Sequence, residues 1–393
     1  MFFASLLFWV SACLLVWVYV VYPALTLLYG RLRPVRIVER AQWPALVTVG
    51  LAAHDGGAQI AERLTDICAQ VVPFEIEMIV ASDGSDDDTA DVVMRASVDD
   101  HRVRLIDLPR SGQSAAQGAI FGAARGDIVV LTDLETRFAP GCLAALIEPL
   151  RDPAVGCSTG VLRWRYDEAT PTARHEGLYW RYEQAVRRWE SRAGWLTAAT
   201  GALLAVRSSL YRPAPAHASL DQMLPLIARD EGLLVVVANS ASGTDRGTAG
   251  MRDQFLSRMR IATQGIESNV RMALRITPWR RPGSFLAIWS HKVLRWATPF
   301  FVGVGAISSA YLALTTGNLW YWLPAAVVGL VAGLSLIGYL ARRLGRSMPL
   351  ASFALTVTVV TGAFALAWIN VALRRRVGAW ATVPLPERDD SFA

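Results

Sequence analysis

The chain has 393 residues, of which 53% are hydrophobic and 18% charged, with a formal net charge of +6. That is more apolar than a soluble protein of this length, and the arginines cluster beside apolar segments, which ties the basic balance to membrane orientation and argues against a nucleic-acid partner. Cysteines at 13, 68, 142 and 157 show no C-x-x-C spacing, and the histidines form no metal-binding motif, which argues against a disulfide framework and a zinc site.

Residues 2–29 are almost wholly apolar, and crossing a bilayer takes roughly 20 such residues. The stretch is longer than a signal-peptide core and lacks a basic start, which predicts a retained anchor over 1–30. Arg31, Arg33 and Arg36 follow, so the positive-inside rule puts the N-terminus outside and the next domain in the cytoplasm. Residues 31–44 read as a linker. From 45 to 277, short strands alternate with helical stretches. Leu46 to Ala52, Ile76 to Ala81, Val103 to Asp107 and Ile128 to Thr132 read as strands. Ala58 to Gln70, Gly112 to Arg125, Pro140 to Leu150 and Tyr179 to Ala193 read as helices. The acidic turn Ser82 to Thr89 offers side chains that cap the helix after it. Repeated βα units imply an α/β fold with a mostly parallel sheet and helices on both faces.

The membrane signature returns at residue 284. Over 284–296, Phe285, Trp289, Val293 and Trp296 share one helical face and His291 and Arg295 lie opposite, which predicts an amphipathic helix in the membrane interface. Apolar segments follow within 297–373, and 374–393 is a polar tail. Arg342, Arg343 and Arg346 suit the inside; a third plain crossing then puts Arg374, Arg375 and Arg376 outside, against the rule. Either the last segment is re-entrant or one of these side assignments fails.

Gly126 to Glu135 reads GDIVVLTDLE. The run Ile128 to Thr132 suits a strand buried on both faces. Asp133 and Glu135 follow, and residues two apart on an extended chain point the same way. At the strand end of an open α/β sheet such a pair can hold a divalent cation, and the cation a diphosphate. A solvated loop with two acids reads equally well.

Taken together, EMIVASDGSDDDTADVV, GDIVVLTDLETRF, TGALLAVRSSLYRPAP and SLDQMLPLI resemble the membrane-bound family 2 glycosyltransferases of the processive type. Cellulose, hyaluronan, chitin-oligosaccharide and poly-N-acetylglucosamine synthases form that group. The resemblance spans the whole 45–277 region, and the order of anchor, domain, interface helix and spans is similar too. It implies a GT-A (Rossmann-like) catalytic domain, a nucleotide-sugar donor, usually UDP-linked, and inverting transfer. Asp83 matches the Asp-Gly-Ser position that contacts the nucleotide; helix capping is its other reading. Asp55 falls in a Tyr-Asn-Glu position and reads either as a contact to the base or as a plain turn residue. Asp133 and Glu135 match the D-x-D that holds Mg²⁺ or Mn²⁺, with Asp133 the surer ligand because glutamate adds a methylene. Asp221 matches the catalytic base, which takes the acceptor's proton; locally it also reads as a helix N-cap. Arg260, with Arg258 beside it, sits where an arginine steadies the diphosphate, although a solvated helix face accounts for both. Thr200 and Gly201 match a small-residue turn at the acceptor site, where a missing side chain admits sugar.

The chain departs from the pattern at Gly56, Gln113, Gly118, Ser257 and Ile261. The last two bear on the polymer-channel motif and hence on processivity; Gly56 and Gln113 bear on the donor. The expected protein is a multi-pass inner (plasma) membrane enzyme with a cytoplasmic catalytic domain. It would move a hexose or N-acetylhexosamine from a UDP-sugar to a glycan or lipid-linked acceptor in the bilayer, in exopolysaccharide synthesis with export partners. A single-addition transferase acting on a polyprenyl phosphate or glycolipid, and a non-catalytic partner of a polysaccharide complex, are compatible with the same residues.

Overall fold

The computed structural model describes residues 1–38, 42–165, 171–213, 218–246, 251–346 and 348–375. Arg376, most of the tail and part of the linker lie outside them. Eight strands form one sheet: β1 Leu46–Ala53, β2 Glu75–Asp83, β3 Val103–Leu108, β4 Ile128–Thr132, β5 Arg137–Phe138, β6 Val155–Arg165, β7 Leu204–Arg207 and β8 Leu234–Arg246, in the order β3-β2-β1-β4-β7-β6-β8-β5. The first four are parallel neighbours, as the βα repeats predict; β7 then runs antiparallel to both β4 and β6, so the whole sheet is mixed.

Strand alternation makes the two layers. Val47, Val49, Leu51, Ile128 and Val130 face one apolar core, and Ala52, Val129 and Leu131 the other. Each such side chain, fully buried, contributes about 1.5–3 kcal/mol, which is why the run in β4 carries no polar residue before Thr132. Helices α3 (Gly57–Cys68), α4 (Thr89–Asp99) and α6 (Cys142–Ile147) cover the first face; α5 (Gln113–Ala123) and α8 (Leu220–Asp230) cover the second. From β1 the chain steps to β2 on one side and later to β4 on the other, so the order reverses between them. A crevice forms outside the carboxyl ends of the strands at such a reversal.

Outside the sheet the chain begins with α1 (Phe2–Val16) and α2 (Tyr22–Leu32), joined through a π-helical turn over Trp17–Val21. After the sheet come α9 (Met251–Ala273), a continuous helix over 282–296 made of α10 (Pro282–Leu286), a π-helical Ala287–Val293 and α11 (Leu294–Trp296), then α12 (Thr298–Thr316), α13 (Trp322–Arg343) and α14 (Pro349–Ala372). Four stretches are long and apolar enough to cross a membrane: Phe2–Leu32, Thr298–Thr316, Leu319–Arg343 and Pro349–Ala372.

The 282–296 helix is buried on its polar as well as on part of its aromatic side. Val293 and Trp296 are buried against protein, and His291 and Arg295 are buried too. The π turn widens the helix midway and changes its phase, so the helix packs on both sides. The last helix is uninterrupted, not re-entrant. Phe364 and Ala367 pack on Ala262, Ile266 and Trp296, while Ala351 at the other end abuts Gly338 of α13.

The long helix α7 (Pro171–Ala193) ties these parts together. Its Glu190 accepts from Tyr22 of α2 at 2.5 Å and faces His291 Nδ1 at 2.8 Å; its Glu183 faces His291 Nε2 at 3.0 Å and also takes Arg187 and Arg295. Burial alone would raise the Glu183 carboxyl, but His291, Lys292, Arg295 and Arg187 hold it well below its usual value. A carboxylate whose pKa is depressed on folding stabilises above its unfolded value and loses that contribution as pH falls through the folded one. Glu183→Gln is therefore expected to lower stability by about 3–5 kcal/mol at neutral pH, as for a broken buried pair. In thermal unfolding of detergent-solubilised protein, its gap from wild type should close below the ordinary glutamate value of 4.5. A gap that stays constant into acid would refute this.

Candidate active site

At the crevice lies a cavity of about 350 Å³ whose wall includes Asp133, Thr200, Gly201, Asp221, Arg258 and Arg260. These are six of the nine residues singled out in the sequence. Asp55, Asp83 and Glu135 are not among the described residues that line it.

Asp133 follows the last residue of β4, and the buried Arg63 of α3 fixes it there. The Arg63 guanidinium donates to the Asp133 carbonyl at 3.2 Å and to Thr132 Oγ1 at 2.7 Å, pairs with Asp66 and lies 4.1 Å from the Phe138 ring centroid. Thr132 Oγ1 in turn donates to the Ala202 carbonyl at 2.7 Å, which ties the strand end to the turn opposite. Beyond Asp133 the chain turns, so the extended geometry that would aim Glu135 at the same point is absent. Glu135 is exposed. The second inward carboxylate on this side comes from Asp245 of β8, which accepts from Thr136 Oγ1 at 3.2 Å. Burial pushes the Asp133 carboxyl up to about 7, and Asp245, Asp221 and Glu135 add to the rise against Arg63.

Asp221 stands in the first turn of α8. The residue at the helix cap is Ser219, whose hydroxyl donates to Asp221 Oδ1, so Asp221 is free of the capping role. Burial raises its carboxyl above the ordinary range, opposed by Ser219, Arg187, the Gln222 amide and Arg260. Gly201 explains how it reaches the cavity. A Cβ at Gly201 would lie 3.0 Å from Asp221 Oδ2 and 3.2 Å from its Cβ and Cγ. The missing side chain makes room for the aspartate beside the cavity that Gly201 also lines. Thr200 Oγ1 accepts from Arg187 at 2.8 Å. Arg260, on α9, is depressed by burial and sustained by Asp133 and Asp221, the two acids it stands between electrostatically.

The other two acids act on backbone. Asp83 is fully buried, and its carboxylate accepts from Ser111 N at 2.6 Å and Gly112 N at 2.9 Å. Gly112 has φ 94°, a conformation that favours glycine, so Asp83 holds the turn entering α5 and does not cap α4. Asp87 serves that helix, accepting from the Thr89 amide at 3.0 Å. Asp55 has φ 50° and accepts from the Asp86 amide at 2.9 Å, the turn role. Sequence reading missed Asp245, Arg63, Arg187 and Glu183. For Asp245 a signal existed, an acid closing a strand; the other three are visible only in three dimensions.

Two carboxylates, Asp133 and Asp245, facing one cavity fit a hard divalent cation. Among the described residues no group of three His, Cys, Asp or Glu is placed to hold a metal by itself. A cation bound by one or two carboxylates plus substrate phosphates needs no third.

Residues 48–212 match the family model described as Glycosyl transferase family 2. An N-acetylglucosaminyltransferase of Rhizobium meliloti (strain 1021) is 28% identical over 296 residues, 71% of this chain and 65% of that protein. Another of Rhizobium leguminosarum bv. viciae is 25% identical over 53% of this chain and 52% of its own length. The chain thus spans about half to two thirds of these curated relatives. Mannosyltransferase PcManGT from Pyrobaculum calidifontis, solved with GDP-Man and Mn²⁺, superposes with a TM-score of 0.69 over 94% of this chain and 99% of that one, at 21% identity. The fold is GT-A, Rossmann-like with a mixed sheet, and the matches support a glycosyltransferase.

If Gly201 is there to seat Asp221, Gly201→Ala should displace the carboxylate by a few tenths of an ångström or more. Misplacement by about 1 Å costs about 100-fold in rate, so a 10- to 100-fold loss of kcat is expected with nucleotide affinity unchanged. Steady-state transfer rates alongside nucleotide titration check it; a Gly201→Ala enzyme with wild-type kcat would refute it.

Proposed function

We propose that the protein is an inverting, metal-dependent glycosyltransferase that moves a hexose or N-acetylhexosamine from a UDP-sugar to a glycan or lipid-linked acceptor. One observation carries the reading: Asp133, Asp245 and Asp221 face a single cavity at the strand-order reversal, and Arg260 lines it with them. The relatives named N-acetylglucosaminyltransferases favour an N-acetylhexosamine donor. The GDP-Man and Mn²⁺ in the mannosyltransferase PcManGT make GDP-mannose the donor to test beside it.

Asp133 and Asp245 would hold Mg²⁺ or Mn²⁺, with Glu135 adding negative charge from outside the cavity. A cation held there would offset charge on the diphosphate leaving group. Arg260 supplies a planar fork of donors for the same diphosphate, and Arg258 lines the same cavity. Asp83 shapes the Ser111–Gly112 turn, and Asp55 the turn after β1, so both would act on the nucleotide through backbone. Asp221 would orient the acceptor hydroxyl and take its proton as the oxygen bonds to the anomeric carbon, while the bond from that carbon to the diphosphate oxygen breaks and the nucleoside diphosphate leaves. Its burial-raised carboxyl suits a base that must hold that proton briefly. The four apolar helices would place the enzyme in the inner membrane with this cavity on the cytoplasmic side. Gly56 and Gly118, two departures from the family pattern, are matched by their neighbours: a Cβ would meet Leu134 at 2.4 Å and the Tyr211 hydroxyl at 2.6 Å. Such compensation favours a working enzyme over a decayed one.

A screen of UDP-sugars and GDP-mannose with Mg²⁺ or Mn²⁺, read as released nucleotide, tests the reading. Asp221→Asn is expected to abolish transfer while leaving donor binding intact. Asp133→Asn should weaken metal-dependent nucleotide binding itself. Turnover retained in Asp221→Asn would remove the base assignment, and nucleotide binding without any turnover in wild type would point to a non-catalytic partner.

A further inference from the structure

The turn beside Asp221 is gripped by three elements. The sheet holds its backbone: the Thr200 amide donates to Thr159 Oγ1 of β6 at 2.9 Å, and Thr132 Oγ1 of β4 donates to the Ala202 carbonyl at 2.7 Å. Its side chain is held from outside the sheet. Arg187 of α7 donates through Nη1 to Thr200 Oγ1 at 2.8 Å and through Nε to Glu183 Oε1 at 3.0 Å, and its Cζ lies 5.6 Å from the Trp180 ring centroid. A planar guanidinium fork held at two nitrogens is fixed in orientation. Arg187 also stands in the wall of the cavity that Asp221 lines. The needs of Glu183 do not account for it. That carboxylate also faces His291 at 3.0 Å, Lys292 at 3.4 Å and Arg295, so it stays paired with one cation fewer. Arg187 reaches past this cluster to the turn.

We propose that Arg187 is a positioning residue for the proton-transfer step: it holds the Thr200–Gly201 turn against Asp221 and supplies the cavity wall with a fixed positive charge. The inference rests on Asp221 as the base and concerns what keeps that base in place and ionised. Gly201 is the point of contact. A Cβ there would lie 3.0 Å from Asp221 Oδ2, so the turn has no slack and a shift at Thr200 passes to the carboxylate by packing. The charge acts alongside the grip. Burial raises the Asp221 carboxyl; the Ser219 hydroxyl, Arg187, the Gln222 amide and Arg260 oppose the rise. Asp133 and Asp245 share the cavity and carry the opposite sign. Of the two opposing cations, Arg260 is the one that would serve the donor diphosphate, which shares its charge once the donor binds. Arg187 keeps the same partners, so its charge remains for Asp221 during transfer.

Grip and charge separate in variants of the full chain assayed in isolated membranes, normalised to protein amount. The readout is transfer of labelled sugar from UDP-N-acetylglucosamine or GDP-mannose, whichever the wild type uses, across a range of pH, with donor binding as the check on folding. Arg187→Met removes both functions. Its kcat should fall about 10- to 100-fold, the scale of a misplaced catalytic group, with donor binding unchanged. The rising limb of its pH profile should also move to higher pH, because a carboxylate that loses a neighbouring cation holds its proton more tightly. Arg187→Lys keeps the charge and loses the fork, so its limb should stay in place while kcat falls less. Thr200→Val removes the gripped hydroxyl and leaves the Arg187–Glu183 pair, so kcat should fall with the limb in place. A wild-type kcat or an unmoved limb in Arg187→Met would overturn the inference, as would a wild-type kcat in Thr200→Val. If Arg187→Met loses donor binding, Thr200→Val and Arg187→Lys decide by the same outcomes. Asp221→Asn, measured beside them, separates the two levels. Turnover in that variant overturns the base assignment itself, whereas an inactive Asp221→Asn with a wild-type Arg187→Met overturns only the role of Arg187.

Discussion

His291 stands between two buried carboxylates, and most of the architecture depends on that arrangement. Glu190 and Glu183 reach it from one side of α7, and Tyr22 reaches Glu190 from the anchor. Charges removed from water destabilise a fold unless their partners are all in place. The anchor, α7 and the helix over 282–296 therefore assemble as one unit or leave a strongly unfavourable remainder. The same unit supplies Arg187, which holds Thr200, and Arg295, which lines the cavity. The cavity wall and the long apolar helices thus share one set of contacts.

The sheet was legible in the sequence because its signals are local. The run Ile128 to Thr132 emerges as β4 with the residues expected, since five consecutive apolar or β-branched residues bury on both faces whatever surrounds them. Asp133 follows from that placement and from the reversal of strand order. Glu135 does not, because the D-x-E argument assumed an extended chain where the backbone turns. Asp245 escaped because it is far from Asp133 in sequence, and only the parallel pairing of β6 with β8 brings its strand beside the site.

Three glycines make room for other protein groups: Gly201 for Asp221, Gly56 for Leu134 and Gly118 for Tyr211. Such pairs are invisible to a linear reading because each glycine's partner is set by packing between distant elements. The faces of the 282–296 helix were hard to read for a related reason: they were drawn with a constant helical period, and a π turn changes the period halfway along.

Phe364 of α14 forms part of the cavity wall, although α14 is also a candidate membrane span. A helix in a bilayer adjusts its tilt when the hydrocarbon thickness differs from its apolar length, at fractions of a kcal/mol per ångström. Were α14 to span a bilayer, its tilt would move Phe364, and the thickness of the surrounding lipid would become a physical variable of the wall that Asp133 and Asp221 share.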